Sequence, residues 1–259
     1  MKRLICATLL ALSLTGCAPV VRQHIYYPEP MPSALDWRGT EPQAVSVTTA
    51  DGLTIKGWYY PARDKAKPLV VFFHGNGGNG YYAARMTAPL TQNGSGLLVA
   101  DYRGYGGNPG KPSETGLRQD AKAFIDLGRT LQPGAPLYLF GHSLGGAVAL
   151  DAATREDIAG VITLGTFSSL SDMAPAYARA ILPDRFDNRR NVTQIKAPLL
   201  LIHGTADQTV PFSQGEALRD AATKAGTQVR FLKLDGAGHQ VDFVKLAPLV
   251  WDTLQPKPN

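Results

Sequence analysis

The segment Gly141-His142-Ser143-Leu144-Gly145-Gly146 constrains this chain more than any other. A serine stands between glycines two positions away on either side. The group joins an apolar run, Leu137-Tyr138-Leu139-Phe140, to an alanine-rich one, Ala147-Val148-Ala149-Leu150. The first run reads as a buried strand and the second as a helix. A chain passing from strand to helix within a few residues must turn sharply. The residue at the apex is driven into strained backbone space, and side chains two positions away would collide with neighbouring backbone, so glycine is needed there. The result is a serine hydroxyl raised at a strand end, with the positive end of a helix behind it. The pattern is short enough to arise by chance; its placement between strand and helix is what carries the reading.

The rest of the chain supplies a sheet to hold that turn. Ala44 to Ala50 and Leu53 to Tyr60 flank Asp51-Gly52, a strong hairpin signal. Short apolar runs follow at Leu69–Phe73, Gly96–Ala100, Pro136–Phe140, Gly160–Leu164, Pro198–Ile202 and Gln228–Leu234. Most are continuous, as strands covered on both faces require. Helical stretches at about 80–92, 114–131, 144–154, 212–225 and 240–254 separate them. This alternation implies an α/β fold: a mostly parallel central sheet of about eight strands with helices on both sides. No internal repeat, low-complexity block or linker follows residue 43, so residues 44–259 read as one domain.

In such sheets reactive groups gather beyond the carboxyl ends of the strands. A serine hydroxyl is a poor nucleophile and needs a base, and the base needs an orienting carboxylate. His239, in Gly236-Ala237-Gly238-His239 after the final strand, is the candidate base. Asp207, in His203-Gly204-Thr205-Ala206-Asp207, is the candidate acid, although an aspartate there also suits a turn or helix cap. Asp235 is a rival acid, more plausibly a loop-shaping residue. Asp172, Asp184 and Asp187 are weaker rivals in another connection. An oxyanion needs two backbone N–H donors. One is expected from Leu144 and the other from the loop His74-Gly75-Asn76-Gly77-Gly78-Asn79, with Asn76 preferred and Gly77 second. His74, His142 and His203 also follow strands and read as loop-bracing residues.

The amino terminus reads as an address. Met1-Lys2-Arg3 is basic, Leu4 to Leu14 is an apolar stretch too short to span a bilayer, and Leu14-Thr15-Gly16-Cys17 follows. The last four residues resemble the bacterial lipobox. The expectation is therefore a signal peptide over 1–16, lipidation of Cys17 and a membrane partner through that lipid; an ordinary secretory leader is the alternative. Ala18 after the cysteine points to the outer membrane, on its periplasmic face, in a Gram-negative cell. Residues 17–43 carry Pro19, Pro28, Pro30, Pro32 and Pro42 and read as an extended tether, with Tyr26, Tyr27 and Trp37 available to pack on the domain.

Composition narrows the classes. The two cysteines are Cys6 and Cys17, so a processed chain has one thiol, no internal disulfide, no cysteine nucleophile and no cysteine metal site. Of the formal charge of +5, two units belong to Lys2 and Arg3. The other basic residues are scattered, and no nucleic acid partner is expected.

Residues 44 to about 255 resemble an α/β-hydrolase, and more narrowly the small-capped group of serine-aminopeptidase-like and ABHD-type hydrolases. The resemblance rests on His74 to Asn79, Asp101-Tyr102-Arg103-Gly104-Tyr105-Gly106, Gly110-Lys111-Pro112-Ser113-Glu114, Gly141 to Gly146, and the Asp207 and His239 motifs. It implies a Ser143–His239–Asp207 triad, an oxyanion hole at Asn76 and Leu144, no metal and no cofactor. The substrate it implies is a small-molecule or acylated ester or thioester. The Asp101–Gly110 stretch departs slightly, since relatives often carry serine near Gly107 or Asn108. The connection over about 165–197 is the expected small cap, far longer than the usual ~2–6 residues. Its Met173, Tyr177, Ile181, Leu182 and Phe186 read first as packing the cap on the core and second as lining an acyl pocket. Two other readings stay open: a non-catalytic lipoprotein that keeps the scaffold for binding, and a peptidase.

Overall fold

The computed structural model describes residues 18–37 and 39–254 of the 259-residue chain. The expected leader and Cys17 lie outside the described residues. Eight strands form one sheet: β1 (Gln43–Thr48), β2 (Thr54–Tyr60), β3 (Leu69–Phe73), β4 (Gly96–Ala100), β5 (Leu137–His142), β6 (Gly160–Leu164), β7 (Leu199–Gly204) and β8 (Val229–Leu234). Their spatial order is β1-β2-β4-β3-β5-β6-β7-β8. The β1–β2 hairpin and the β2–β4 pair are antiparallel, and every pairing from β4 to β8 is parallel.

The central strands β3, β4 and β6 are buried at every residue, which explains their unbroken apolar runs. At the edges, β1 and β8 are buried at none. The five longer helices are α1 (Gly80–Thr87), α2 (Glu114–Leu131), α3 (Leu144–Ala153), α4 (Phe212–Lys224) and α5 (Phe243–Leu254). Asn79 starts α1 by accepting from the N–H groups of Tyr81 and Tyr82, and Ser113 starts α2 by accepting from that of Gly116. Helix α3 is buried along its whole length, so its alanines allow close approach to the sheet. Two apolar layers result. One is built around Val71, Leu98, Phe124 and Leu150, and the other around Phe72, Val99, Phe140 and Phe243.

The segment expected as a tether over 17–43 departs from an extended backbone at its start and packs on the domain through Tyr26 and Trp37 as expected. Residues 18–22 are helical, with Pro19 in the first turn, where its missing N–H costs nothing. Ile25 and Tyr26 are buried in the core. Tyr27 and Pro28 pair in parallel with Gly77 and Gly78. Trp37 packs edge-on against Trp58 and Tyr81 at 4.8 and 4.7 Å. The N-terminal segment is thus part of the domain surface. Among the described residues, no helix is long and apolar enough to cross a membrane.

Candidate active site

Ser143 sits between β5 and α3 with φ 54° and ψ −116°. Its N–H donates to Leu164 O (2.8 Å) and its carbonyl accepts from Thr166 Oγ1 (3.2 Å), so the strained residue is held from both sides by the β6 end. The glycines are sterically required. A Cβ at Gly141 would lie 2.1 Å from Gly145 O, and one at Gly145 would lie 1.9 Å from Phe73 O. Leu144 is the first residue of α3, so its N–H has no partner within the helix and is directed to the same region as the serine.

Asp207 and His239 come from the ends of β7 and β8, which pair in parallel. His239 Nδ1–H donates to Asp207 Oδ2 at 2.7 Å, leaving Nε2 without that proton and able to accept one. The other carboxylate oxygen of Asp207 accepts from the N–H groups of Thr209 (2.9 Å) and Val210 (2.8 Å). The turn role and the His-orienting role therefore coexist in one side chain. The Asp207 carboxylate is fully buried, while the His239 ring is slightly exposed. Ser143 and His239 line one cavity of about 540 Å³, together with Asn76, Leu144, Phe167 and Met173. His239 makes no direct hydrogen bond to Ser143 Oγ, a contact that commonly tightens only in a substrate complex.

The other side of the cavity is the loop after β3. His74 Nδ1–H donates to Gly75 O at 2.8 Å, and His74 Nε2 lies 3.1 Å from Asp101 Oδ1. In a trans peptide the N–H points opposite to the C=O, so fixing Gly75 O fixes the direction of the Asn76 N–H. Tyr105 Oη donates to Asn76 O at 2.9 Å, and Tyr102 Oη donates to His74 O at 2.9 Å. The motif Asp101 to Gly106 is thus a brace for this loop. Asn108 serves the same end by donating to Asp101 O and accepting from Lys56 N–H.

A family model described as serine aminopeptidase, S33 matches residues 64–185, and one described as phospholipase/carboxylesterase matches residues 132–249. An uncharacterized protein of Mycobacterium tuberculosis strain H37Rv is 34% identical over 228 residues, spanning 84% of this chain and 80% of that protein. The chain belongs to the α/β-hydrolase family. A second relative is the lysophosphatidylserine lipase ABHD12 of Danio rerio, 28% identical over 74% of this chain and 58% of that protein. Among solved structures, an esterase of Pyrococcus furiosus superposes with a TM-score of 0.68 at 21% identity, over 88% of this chain and 95% of that one. An acylaminoacyl peptidase of Pyrococcus horikoshii superposes at 0.65 and 20% identity, over 82% of this chain but only 41% of that one.

Within this α/β-hydrolase, some site residues escape sequence reasoning. Gly165, at φ +59°, lies beneath the acid–base pair: a Cβ there would stand 3.1 Å from His239 Nδ1 and 3.2 Å from Asp207 Oδ2. Thr166 beside it fills the space left by Gly146, where a Cβ would lie 1.8 Å from its Oγ1. Both follow β6 directly. His142 donates from Nε2 to the backbone carbonyl of His239 (3.0 Å). Burial, with the His239 ring next, pushes His142 down to about 4. His203 donates to Val210 O at 2.9 Å and is likewise pushed down by burial. His74, His142 and His203 all brace loops.

The rival carboxylates are occupied elsewhere. Asp235 is exposed in the turn after β8. Asp172 accepts from Ser168 Oγ, and Asp187 caps a short helix through Arg190 N–H. Asp184 accepts from Arg22 and Tyr26. Among the described residues, no group of three or more His, Cys, Asp or Glu is placed to hold a metal ion. The cap residues divide. Phe186 is buried in the core, Met173 lines the cavity, and Tyr177 and Ile181 are exposed.

Proposed function

We propose that this protein is a serine hydrolase that cleaves carboxylic ester or thioester bonds through an acyl-enzyme. It is held at the bacterial cell envelope by a lipid on Cys17, on the periplasmic face of the outer membrane in a Gram-negative cell. The observation that carries the catalytic reading is the 2.7 Å Asp207–His239 hydrogen bond at the wall of the cavity that Ser143 also lines. His239 Nε2 takes the Ser143 proton as Oγ attacks the substrate carbonyl carbon. The N–H groups of Asn76 and Leu144 stabilise the oxyanion, with the α3 N-terminus adding favourable potential. As the tetrahedral intermediate collapses, the bond to the leaving oxygen or sulfur breaks, and His239 returns its proton to that atom. Water, deprotonated by His239, then hydrolyses the acyl-Ser143 ester to a carboxylic acid. Asp207 holds the His239 tautomer throughout.

The test is fluorophosphonate labelling of the purified full-length protein, followed by turnover of p-nitrophenyl esters and a thioester. Labelling that disappears in Ser143→Ala supports the assignment. Equal labelling of both proteins overturns it.

A further inference from the structure

The loop that carries the Asn76 donor has little to hold it from within. Gly77 and Gly78 follow Asn76, and Gly78 stands at φ +80°. A Cβ at either glycine would meet nothing within 4 Å, so the loop is open on that side. Paired glycines leave the backbone wide freedom. His74 and Tyr105 fix the peptides on either side of Asn76, through Gly75 O and Asn76 O, and the next two peptides need another partner. The N-terminal segment is that partner. Tyr27 and Pro28 lie beside Gly77 and Gly78 as a second, parallel strand. Glu29 N–H donates to Gly78 O at 3.1 Å, and Glu29 O accepts from Gly106 N–H at 3.1 Å. Glu29 thus joins the glycine loop to the turn that carries Tyr102 and Tyr105. Asn79 Nδ2 donates to Pro30 O at 2.8 Å, while Asn79 Oδ1 accepts from the N–H groups that open α1. Ile25 and Glu29 also line the cavity of Ser143.

The other end of the segment is clamped to the cap. Asp184 accepts from Arg22 Nε (2.8 Å), Arg22 Nη2 (3.0 Å) and Tyr26 Oη (2.9 Å). The same carboxylate accepts from Glu114 N–H at the start of α2 (3.2 Å), and Glu114 in turn accepts from Arg185 N–H (2.7 Å). A segment fixed at both ends resists displacement of the pairing between them.

We infer that residues 22–30 are a positioning strap for the oxyanion hole: they hold Gly77 and Gly78 from outside, so that the Asn76 N–H keeps its direction as negative charge develops on the substrate oxygen. This role rests on the serine-hydrolase reading above. The strap acts through Asn76 and not by contact with the reacting atoms. A hydrogen bond weakens steeply as its donor turns away, so a misdirected Asn76 lowers kcat while ester binding, and with it KM, changes little. The chain that follows Cys17 is thereby part of the catalytic scaffold as well as a connection.

Two variants of the full-length protein release the strap at opposite ends. Glu29→Pro removes the N–H that Gly78 O accepts; Pro28, already extended, suits a following proline. Asp184→Ala frees Arg22 and Tyr26, and carries the comparison should Glu29→Pro not fold. Turnover of p-nitrophenyl butyrate is measured per fluorophosphonate-titrated site. Glu29→Pro is expected to lower kcat by about tenfold to a hundredfold and Asp184→Ala by about threefold or more, with KM within about twofold of wild type. An aryl trifluoromethyl ketone supplies the second readout. Ser143 Oγ bonds to its carbonyl carbon, the hydroxyl proton passes to His239, and the carbonyl oxygen becomes an anion facing Asn76 and Leu144. Its Ki is expected to rise by the factor by which kcat falls, which general loosening of the fold does not produce. Hydrogen exchange is the third: residues 75–79 are expected to exchange faster in both variants. Unchanged exchange there, or a ketone Ki within about twofold of wild type in the folded variants, overturns the strap and leaves the hydrolase reading standing. A wild type that neither turns over the ester nor takes the fluorophosphonate overturns the hydrolase reading itself, and the strap's catalytic role with it.

Discussion

His142 Nε2 donates to the main-chain carbonyl of His239 across 3.0 Å, and the two imidazole rings lie 4.8 Å apart. The residue before Ser143 thus holds the backbone of His239. This bond places the His239 loop relative to β5 independently of the Asp207 contact.

Replacing His142 by phenylalanine keeps a ring but removes the bond. The expected result is a fall in kcat of about tenfold with KM little changed. A pH signature accompanies it. A free imidazole protonates near 6.5, and His142 in the folded protein near 4. Between those values the unfolded chain binds the extra proton. Stability is therefore fully present above about pH 6.5 and falls as pH drops toward about 4, by up to roughly 3 kcal/mol. Denaturant unfolding of wild type and His142→Phe across this window checks it: the variant is expected to show the shallower slope.

Asp207→Asn tests the orienting role. Its side-chain oxygen still accepts from the Thr209 and Val210 N–H groups, so the turn survives. The amide opposes the His239 tautomer required, and kcat is expected to drop by about 10³–10⁴. Thermal unfolding close to wild type beside that loss separates catalysis from folding.

Two glycines give contrasting outcomes. In Gly145→Ala the new carbon falls 1.9 Å from Phe73 O, a backbone atom that cannot step aside. The expected cost is about 3 kcal/mol or more, read by thermal or denaturant unfolding. In Gly165→Ala the nearest atoms are His239 Nδ1 at 3.1 Å and Asp207 Oδ2 at 3.2 Å. Activity there is expected to fall before stability does, which parallel kcat and melting measurements resolve.

The clamp at Asp184 predicts a coupled loss. Asp184→Ala leaves Tyr26 Oη without its buried partner and frees Arg22. A destabilisation of about 2 kcal/mol is expected, discounted for the partial exposure of Arg22. Limited proteolysis is expected to cut first within residues 18–37, and uncut N-terminal segments in the variant would contradict the clamp.

The proposed lipid anchor has its own test. Cys17→Ser is expected to abolish incorporation of radiolabelled palmitate and to move the protein from the membrane fraction to the periplasmic one. Continued labelling of the variant would rule out Cys17 as the acceptor.

Much of the scaffold was legible because its signals are local. The buried strands β3, β4 and β6 are continuous apolar runs, and their ends fall where the apolar residues stop. The turn at Ser143 was readable because glycine is the only residue that fits at Gly141 and Gly145. The N-terminal segment is helical over 18–22, which proline density does not report because it reflects only local backbone preference, while its packing through Tyr26 and Trp37 follows the expectation. Its burial comes from partners far along the chain: Tyr26 meets Asp184, and Trp37 meets Trp58 and Tyr81.

By itself the sequence determined which residue types stand after each strand, and hence that a hydroxyl, an imidazole and a carboxylate would be carried to one edge of a parallel sheet. Periodicity and glycine placement are enough for that, because they act over a few residues. Tertiary structure decided how those groups are held: Gly165 under the acid–base pair, His142 on the His239 carbonyl, His74 aiming the Asn76 peptide, and the N-terminal segment paired with Gly77 and Gly78. Each of these contacts depends on the distance and direction between groups on separate elements, and only the packed chain sets those.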